Sequence, residues 1–414
     1  MRAYERLLKY VQVWTTSDEA SDQVPSTERQ FDLARLLESE MKELGLKEVH
    51  VDEHCYVYGT IPASPGYEQA PAIVLIAHLD TAPDYSGEHV RPQVWENYDG
   101  GDLTLPSGRV LSTQQLPHLP SLKGRTLITS DGSTLLGADD KAGIAEIMTM
   151  AERLIGQGAG EDDWQSGHGR VCVAFTPDEE IGGGAALLDI PALGAAWGYT
   201  VDGGPEGEVT YENFNAARAD IEIQGVSIHP GDAKDVMVNA SLVACRFNEL
   251  LPGTQTPAHT SGREGFYHLT RMEGDTDHAS LHYIIRDHDE AIYQARLETL
   301  RHITQTLNEQ YGSGTVTLTV TEQYRNMIEK IRPCMYVVDY AVEATKEAGL
   351  EPCFEPVRGG TDGAQLSFRG LPCPNLGTGG YAFHGPSEHI TAEGMDYVVE
   401  ILMGIVRHAA RHRG

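Results

Sequence analysis

AIVLIAHLD, residues 72–80, is an apolar run without polar alternation that stops on a histidine and an aspartate. Such a run reads as a strand covered on both faces, because a strand with one wet face would alternate. Three further stretches repeat the design: TLLGADDKAG (134–143), VCVAFTPDEEIGGG (171–184) and WGYTVDGG (197–204). Each is a β-rich segment that ends at acidic residues and passes into glycine or a helix. Helical patterns lie between them, such as AGIAEIMTMAERLI (142–155). Strands alternating with helices predict an α/β sheet that is at least partly parallel, and such sheets bind ligands beyond the carboxyl ends of their strands. The acids gather at that edge.

From about Phe214 the pattern changes. ADIEIQGVSI (219–228) alternates as a strand, VMVNASLVACRFNELL (236–251) is a helix, and GFYHLTRMEGD (265–275) with ASLHYIIRDHD (279–289) forms a hairpin. A second helix, AIYQARLETLRHITQTLNEQYG (291–312), and a last strand, TVTLTVTEQY (315–324), complete the order βαββαβ of a ferredoxin-like sandwich. Residues 214–325 are therefore expected to form an inserted domain, and 1–213 plus 326–414 the main one. Two domains suit a chain of 414 residues, which exceeds the size of a single growing core.

Composition narrows the classes. With 40% hydrophobic and 22% charged residues the chain is of ordinary globular composition. Its formal net charge of -30 argues against a nucleic-acid backbone as partner. The six cysteines form no CxxC pair, so neither a thiolate zinc site nor a disulfide framework is indicated, and free thiols point to the cytoplasm. No apolar run approaches the ~20 residues needed to cross a bilayer. MRAYERLLKYVQVW (1–14) reads as an amphipathic helix rather than a signal peptide.

The candidate chemistry lies at the strand ends. His78 and Asp80 are two apart, so period-two geometry points both to one side, the pairing in which a carboxylate orients a metal-binding imidazole. Asp139 and Asp140 precede a helix, where capping explains one of them without any function. Glu179 and Glu180 follow a strand; one can bind metal while its neighbour takes a proton from water. Asp202 is a ligand or a turn-forming Asp-Gly. Taken singly, each has a plain explanation. Together with a late histidine, His384, they supply two sets sharing one carboxylate: His78, Asp140, Asp202 and Asp140, Glu180, His384. Oxygen and nitrogen donors of this kind suit a pair of borderline ions such as zinc.

The stretches AHLDTAPD (77–84), TLLGADDKAGIAEIM (134–148), FTPDEEIGGGA (175–185), TVDGGPEGE (200–208), HPGDAKDVMVNA (229–240), RGGTDGAQLSF (358–368) and TGGY (378–381) with His384 carry a family resemblance, as does VPSTERQ (24–30). The chain resembles the M20 family of metallopeptidases and, within it, the peptidase T branch. That resemblance implies a zinc-peptidase catalytic domain with an inserted lid or dimerisation domain, two Zn2+ per subunit with Co2+ or Mn2+ as alternatives, and a homodimer. It assigns His78, Asp140 and Asp202 to one ion and Asp140, Glu180 and His384 to the other, with Asp80 supporting His78 and Glu179 as general base. His389 competes with His384 for the last position. His229 would hold the oxyanion, and Asn239, Arg286 and Arg358 the peptide's carbonyls and carboxylate. The implied activity is release of the N-terminal residue from short peptides, in particular tripeptides. Other M20 amidohydrolases, carboxypeptidases or dipeptidases and a non-catalytic peptide-binding protein are the rival readings.

Overall fold

The structure is a computed structural model that describes residues 1–156 and 167–412. It divides into two compact units: Met1–Tyr211 with Glu329–Glu355 and Thr361–Gly414, and Glu212–Ile328 with Pro356–Gly360. The first contains a seven-stranded sheet in the order Lys47–Val51, Val57–Ile61, Val171–Thr176, Ile73–His78, Trp197–Val201, Asn375–Leu376 and Val209–Thr210. Its central strands are parallel: Ile73–His78 runs beside Val171–Thr176 on one side and Trp197–Val201 on the other. All three are buried along their whole length, as the unbroken apolar runs require. The helix Ala138–Gly156 covers the sheet, and its start comes very close to the strand: a Cβ on Gly143 would lie 2.0 Å from the Val201 carbonyl oxygen, so only glycine fits. A four-stranded sheet of Gly380–Tyr381, His389–Thr391, Leu127–Thr129 and Gln93–Trp95 holds both ends of the loop that carries His384. No helix among the described residues is long and apolar enough to cross a membrane.

The second unit is a four-stranded antiparallel sheet in the order Phe266–Gly274, His278–Asp287, Asn215–Gln224, Val316–Tyr324. Helices Ala240–Leu250 and Glu290–Tyr311 cover one face, packing Val243, Phe247, Leu300 and Leu307 on Ile221, Leu281 and Ile285. This is the expected βαββαβ sandwich. Pro356–Gly360, read from the sequence as part of the first domain, belongs here. Val357 bridges Asn213 and donates its N–H to the Glu212 carbonyl at 3.0 Å. Those main-chain bonds, invisible in the sequence pattern, tie the segment to this unit.

Candidate metal centre

The three central strands deliver their acids and histidine to one place because parallel strands end at one edge. His78 is the last residue of its strand, Asp202 follows Val201, and Glu179 and Glu180 lie just beyond Thr176. His78 Nε2 is 3.0 Å from Asp139 Oδ1 and 3.6 Å from Asp202 Oδ1. His384 Nε2 is 3.2 Å from Asp139 Oδ2 and 3.0 Å from Glu180 Oε2. The two oxygens of Asp139 thus face two different imidazoles, the geometry of a carboxylate shared between two ions.

Here the structure departs from the expected ligand set. Asp140 is fully buried, with Oδ2 accepting the His78 N–H at 3.0 Å and Oδ1 accepting the Gly143 N–H at 3.2 Å. Its carboxylate is committed to the main chain, and Asp139 occupies the shared position. Asp139 (φ -82°, ψ 105°) and Asp140 (φ -118°, ψ 33°) are both non-helical, and Asp140, through its bond to the Gly143 N–H, is the helix cap that the sequence suggests for one of them. Of the two late histidines, His384 reaches the cluster, whereas His389 sits in a strand with Nε2 2.9 Å from His118 Nε2. His384 has a left-handed φ of 60°, an uncommon conformation for a residue with a side chain and one that clusters at functional sites.

Asp80 does more than orient His78. Its Oδ1 lies 3.3 Å from His78 Nδ1, and the imidazole also meets the Asp80 carbonyl at 3.1 Å. The same carboxylate accepts the N–H of Glu179 at 3.0 Å and of Glu180 at 3.2 Å, so one buried side chain holds the histidine and the glutamate loop together. The loop is gripped from the other side through Asp178. Its carboxylate accepts the Ser26 N–H (2.7 Å), the Ser26 hydroxyl (2.5 Å) and the Gln30 amide (2.7 Å). VPSTERQ (24–30) owes its place in the motif set to that grip, which a separation of 152 residues hides from any local reading.

Electrostatics favour cations here. Burial pushes Glu180 up to about 7, with Asp139 adding to the rise and His384 opposing it. Burial pushes Asp202 up to about 6 and Asp362 up to about 7, and it raises Glu179 well above the carboxylate range, with Asp202 adding to the rise there. Burial also acts on Asp139, but the His384 and His78 imidazoles outweigh it and hold that carboxyl below its usual value. Hydrogen bonds to Asp139 and Glu180 raise His384 to about 11. So many buried carboxyl groups around two imidazoles leave negative charge that protons must neutralise unless metal ions do, and ligands and protons compete for such sites.

The donor set fits divalent ions. The ligand atoms of His78, Asp139 and Glu180, and those of His78, Glu179 and Asp202, lie within 4.8 Å of one another. Nearest pairs at 3.0–3.6 Å match the ~3.3 Å spacing of ligands around a tetrahedral ion with bonds of ~2.0–2.1 Å. Glu180 Oε1 is buried without a hydrogen-bond partner among the described residues, a group that a cation would satisfy.

The residues expected at the substrate lie in the second unit. His229 has its ring 79% exposed and accepts the Gly231 N–H on Nδ1 at 3.1 Å. Asn239 caps the helix Ala240–Leu250, its Oδ1 accepting from Leu242 N at 3.2 Å. Arg286 is buried and donates to the carbonyls of Ala217 (3.2 Å) and Ile285 (3.0 Å). Arg358 donates to the carbonyls of Gly262 (2.6 Å) and Glu264 (3.0 Å) and stacks on Phe214 and Phe266.

A sheet domain with carboxylates and imidazoles gathered beyond its strand ends, interrupted in sequence by a ferredoxin-like unit, is the design of a metal-dependent M20 peptidase. The M20 peptidase dimerisation domain matches residues 211–315. The chain is 50% identical over 411 residues to peptidase T of Desulfitobacterium hafniense (strain Y51), covering 99% of this chain and 98% of that protein. It is 48% identical over 406 residues to peptidase T of Clostridium perfringens (strain 13 / Type A), covering 98% of each. The chain belongs to the peptidase T family of M20 peptidases. Its fold is shared with the aminopeptidase PepT from Bacillus cereus ATCC 10987 (TM-score 0.76, 22% identity, 99% of this chain and 98% of that one). It is also shared with the Bacillus subtilis YXEP protein, a dinuclear metal binding peptidase from the M20 family (TM-score 0.68, 17% identity, 99% of each).

Proposed function

We propose that this chain is a cytoplasmic di-zinc aminopeptidase that releases the N-terminal residue from tripeptides. The carrying observation is the Asp139 carboxylate, whose two oxygens face His78 and His384 at 3.0 and 3.2 Å. His78, Asp139 and Asp202 would hold one ion, and Asp139, Glu180 and His384 the other. When bound, such a pair lowers the pKa of water to about 7 and polarises a carbonyl. Glu179 removes the proton from the attacking water and returns it to the leaving amine. Asp80 keeps Glu179 and Glu180 in register by holding both main-chain N–H groups.

His229, exposed on the turn Pro230–Asp232, is the proposed oxyanion donor, and Arg358 the proposed partner of the peptide carboxylate. Asn239 and Arg286 are the proposed partners of the peptide's carbonyls, beside the helix cap and main-chain contacts that they hold. The match to the M20 dimerisation domain supports a homodimer, and six free cysteines support a reducing compartment. The deciding experiment compares a free tripeptide with its N-acetylated form on zinc-loaded protein. Cleavage of the free peptide alone supports an aminopeptidase; equal cleavage points to an M20 amidohydrolase or carboxypeptidase, and no cleavage of either to a binding protein.

A further inference from the structure

Glu388, four residues beyond His384, is 1% exposed, and no step above uses it. Its Oε2 accepts the N–H groups of Leu136 (2.7 Å) and Gly137 (2.8 Å), and its Oε1 accepts that of Asp139 (3.0 Å). The loop that carries the shared carboxylate is therefore held through three main-chain bonds by one side chain. Glu388 itself is fixed on both sides: its N–H donates to the Gly385 carbonyl at 3.1 Å, and the next residue, His389, pairs with Thr129 in the small sheet.

These contacts need both oxygens as acceptors. A glutamine could serve Leu136 and Gly137 with its oxygen, but its NH2 would then meet the Asp139 N–H, donor against donor. An aspartate keeps the charge and loses the reach. Groups behind metal ligands fix the ligand's direction, and their loss typically weakens metal binding about 10–100-fold. We propose that Glu388 is a positioning residue of the metal centre: by holding Leu136, Gly137 and Asp139 it aims the Asp139 carboxylate between His78 and His384. The same loop thus contributes a ligand, His384, and the clamp for the ligand opposite. The inference rests on Asp139 being the shared ligand.

The test measures Zn2+ affinity of the full chain, stripped with a chelator and titrated in competition with a chromophoric chelator. Glu388→Gln and Glu388→Asp are compared with Met403→Ala, a buried change in the helix Ala392–Ala410 that lowers stability away from the cluster. Both Glu388 variants are expected to bind Zn2+ about 10–100-fold more weakly, while Met403→Ala keeps wild-type affinity despite a lower Tm. Affinities within twofold of wild type for both Glu388 variants overturn the proposal. So does wild-type affinity in Glu388→Asp beside a weakened Glu388→Gln, because charge rather than position would then be the cause. Weakening in Met403→Ala equal to that in the Glu388 variants overturns it as well, by making loss of stability sufficient. Wild-type protein that takes up no Zn2+ overturns the metal reading itself, a distinct result. If neither Glu388 variant folds, amide exchange of Leu136, Gly137 and Asp139 in metal-free wild-type protein decides: protection is expected, and exchange as fast as at exposed loop amides overturns the clamp.

Discussion

Replacing Asp139 and Asp140 separately by asparagine separates the ligand from its neighbour. In Asp139→Asn one of the two oxygens that face His78 and His384, at 3.0 and 3.2 Å, becomes an NH2 group that cannot coordinate. Because the carboxylate is shared, both ions lose a donor, and the loss of affinity is expected to exceed the about 10–100-fold produced by changes behind the ligands. In Asp140→Asn the new NH2 group meets either the His78 N–H, now at 3.0 Å, or the Gly143 N–H, at 3.2 Å. Leaving such a buried group unsatisfied costs about 1–3 kcal/mol. With about 2–4 °C of Tm per kcal/mol for a large domain, that is a fall of roughly 2–12 °C. The assay is metal stoichiometry by mass spectrometry after dialysis at buffered free zinc, with thermal unfolding of the metal-free proteins beside it. Two ions retained in Asp139→Asn with loss in Asp140→Asn would refute the assignment and restore the one read from the sequence.

Three other outcomes follow from the same geometry. Glu179→Gln is expected to lower kcat about 10²–10⁴-fold while metal content stays at the wild-type level, and unchanged turnover would remove Glu179 from the base role. Arg358→Lys is expected to raise KM for tripeptides more than it lowers kcat, with an amidated peptide insensitive to the change; equal effects on both peptides would make its contacts with Gly262 and Glu264 purely structural. Glu146 lies in the buried helix Ala138–Gly156 with neither carboxyl oxygen hydrogen-bonded among the described residues, and burial, with Glu206 adding to it, raises its pKa well above the usual range. The folded state then keeps a proton that the unfolded state releases, so stability falls as pH rises above the unfolded value of about 4.5. Glu146→Met should therefore be more stable than wild type at pH 8, by about 1–3 kcal/mol, and the gain should shrink toward pH 5 in denaturant melts. A gain that is the same at both pH values would contradict this.

How much of the site could be read in advance differs residue by residue. His78, Glu180 and Asp202 stand at or just beyond the ends of apolar runs, and a parallel sheet brings strand ends together whatever the rest of the chain does. His384 follows a glycine-rich turn, and its competitor His389 is separated from it by folding alone, since pairing with Thr129 places His389 within a strand. Asp178, Ser26, Gln30 and Glu388 act through bonds between residues more than a hundred positions apart, and local patterns carry no trace of them. The place of Pro356–Gly360 in the second unit has the same origin.

The chain's own periodicities determined the α/β sheet, the βαββαβ insert and the supply of histidine and carboxylate donors at one sheet edge, because apolar patterning dictates strand, helix and buried face. Which of two adjacent aspartates enters the cluster was decided by the tertiary structure alone. Neighbouring side chains outside regular structure point wherever the main chain turns them, and that turn depends on distant partners: Glu388 accepting from Asp139, and His78 and Gly143 donating to Asp140.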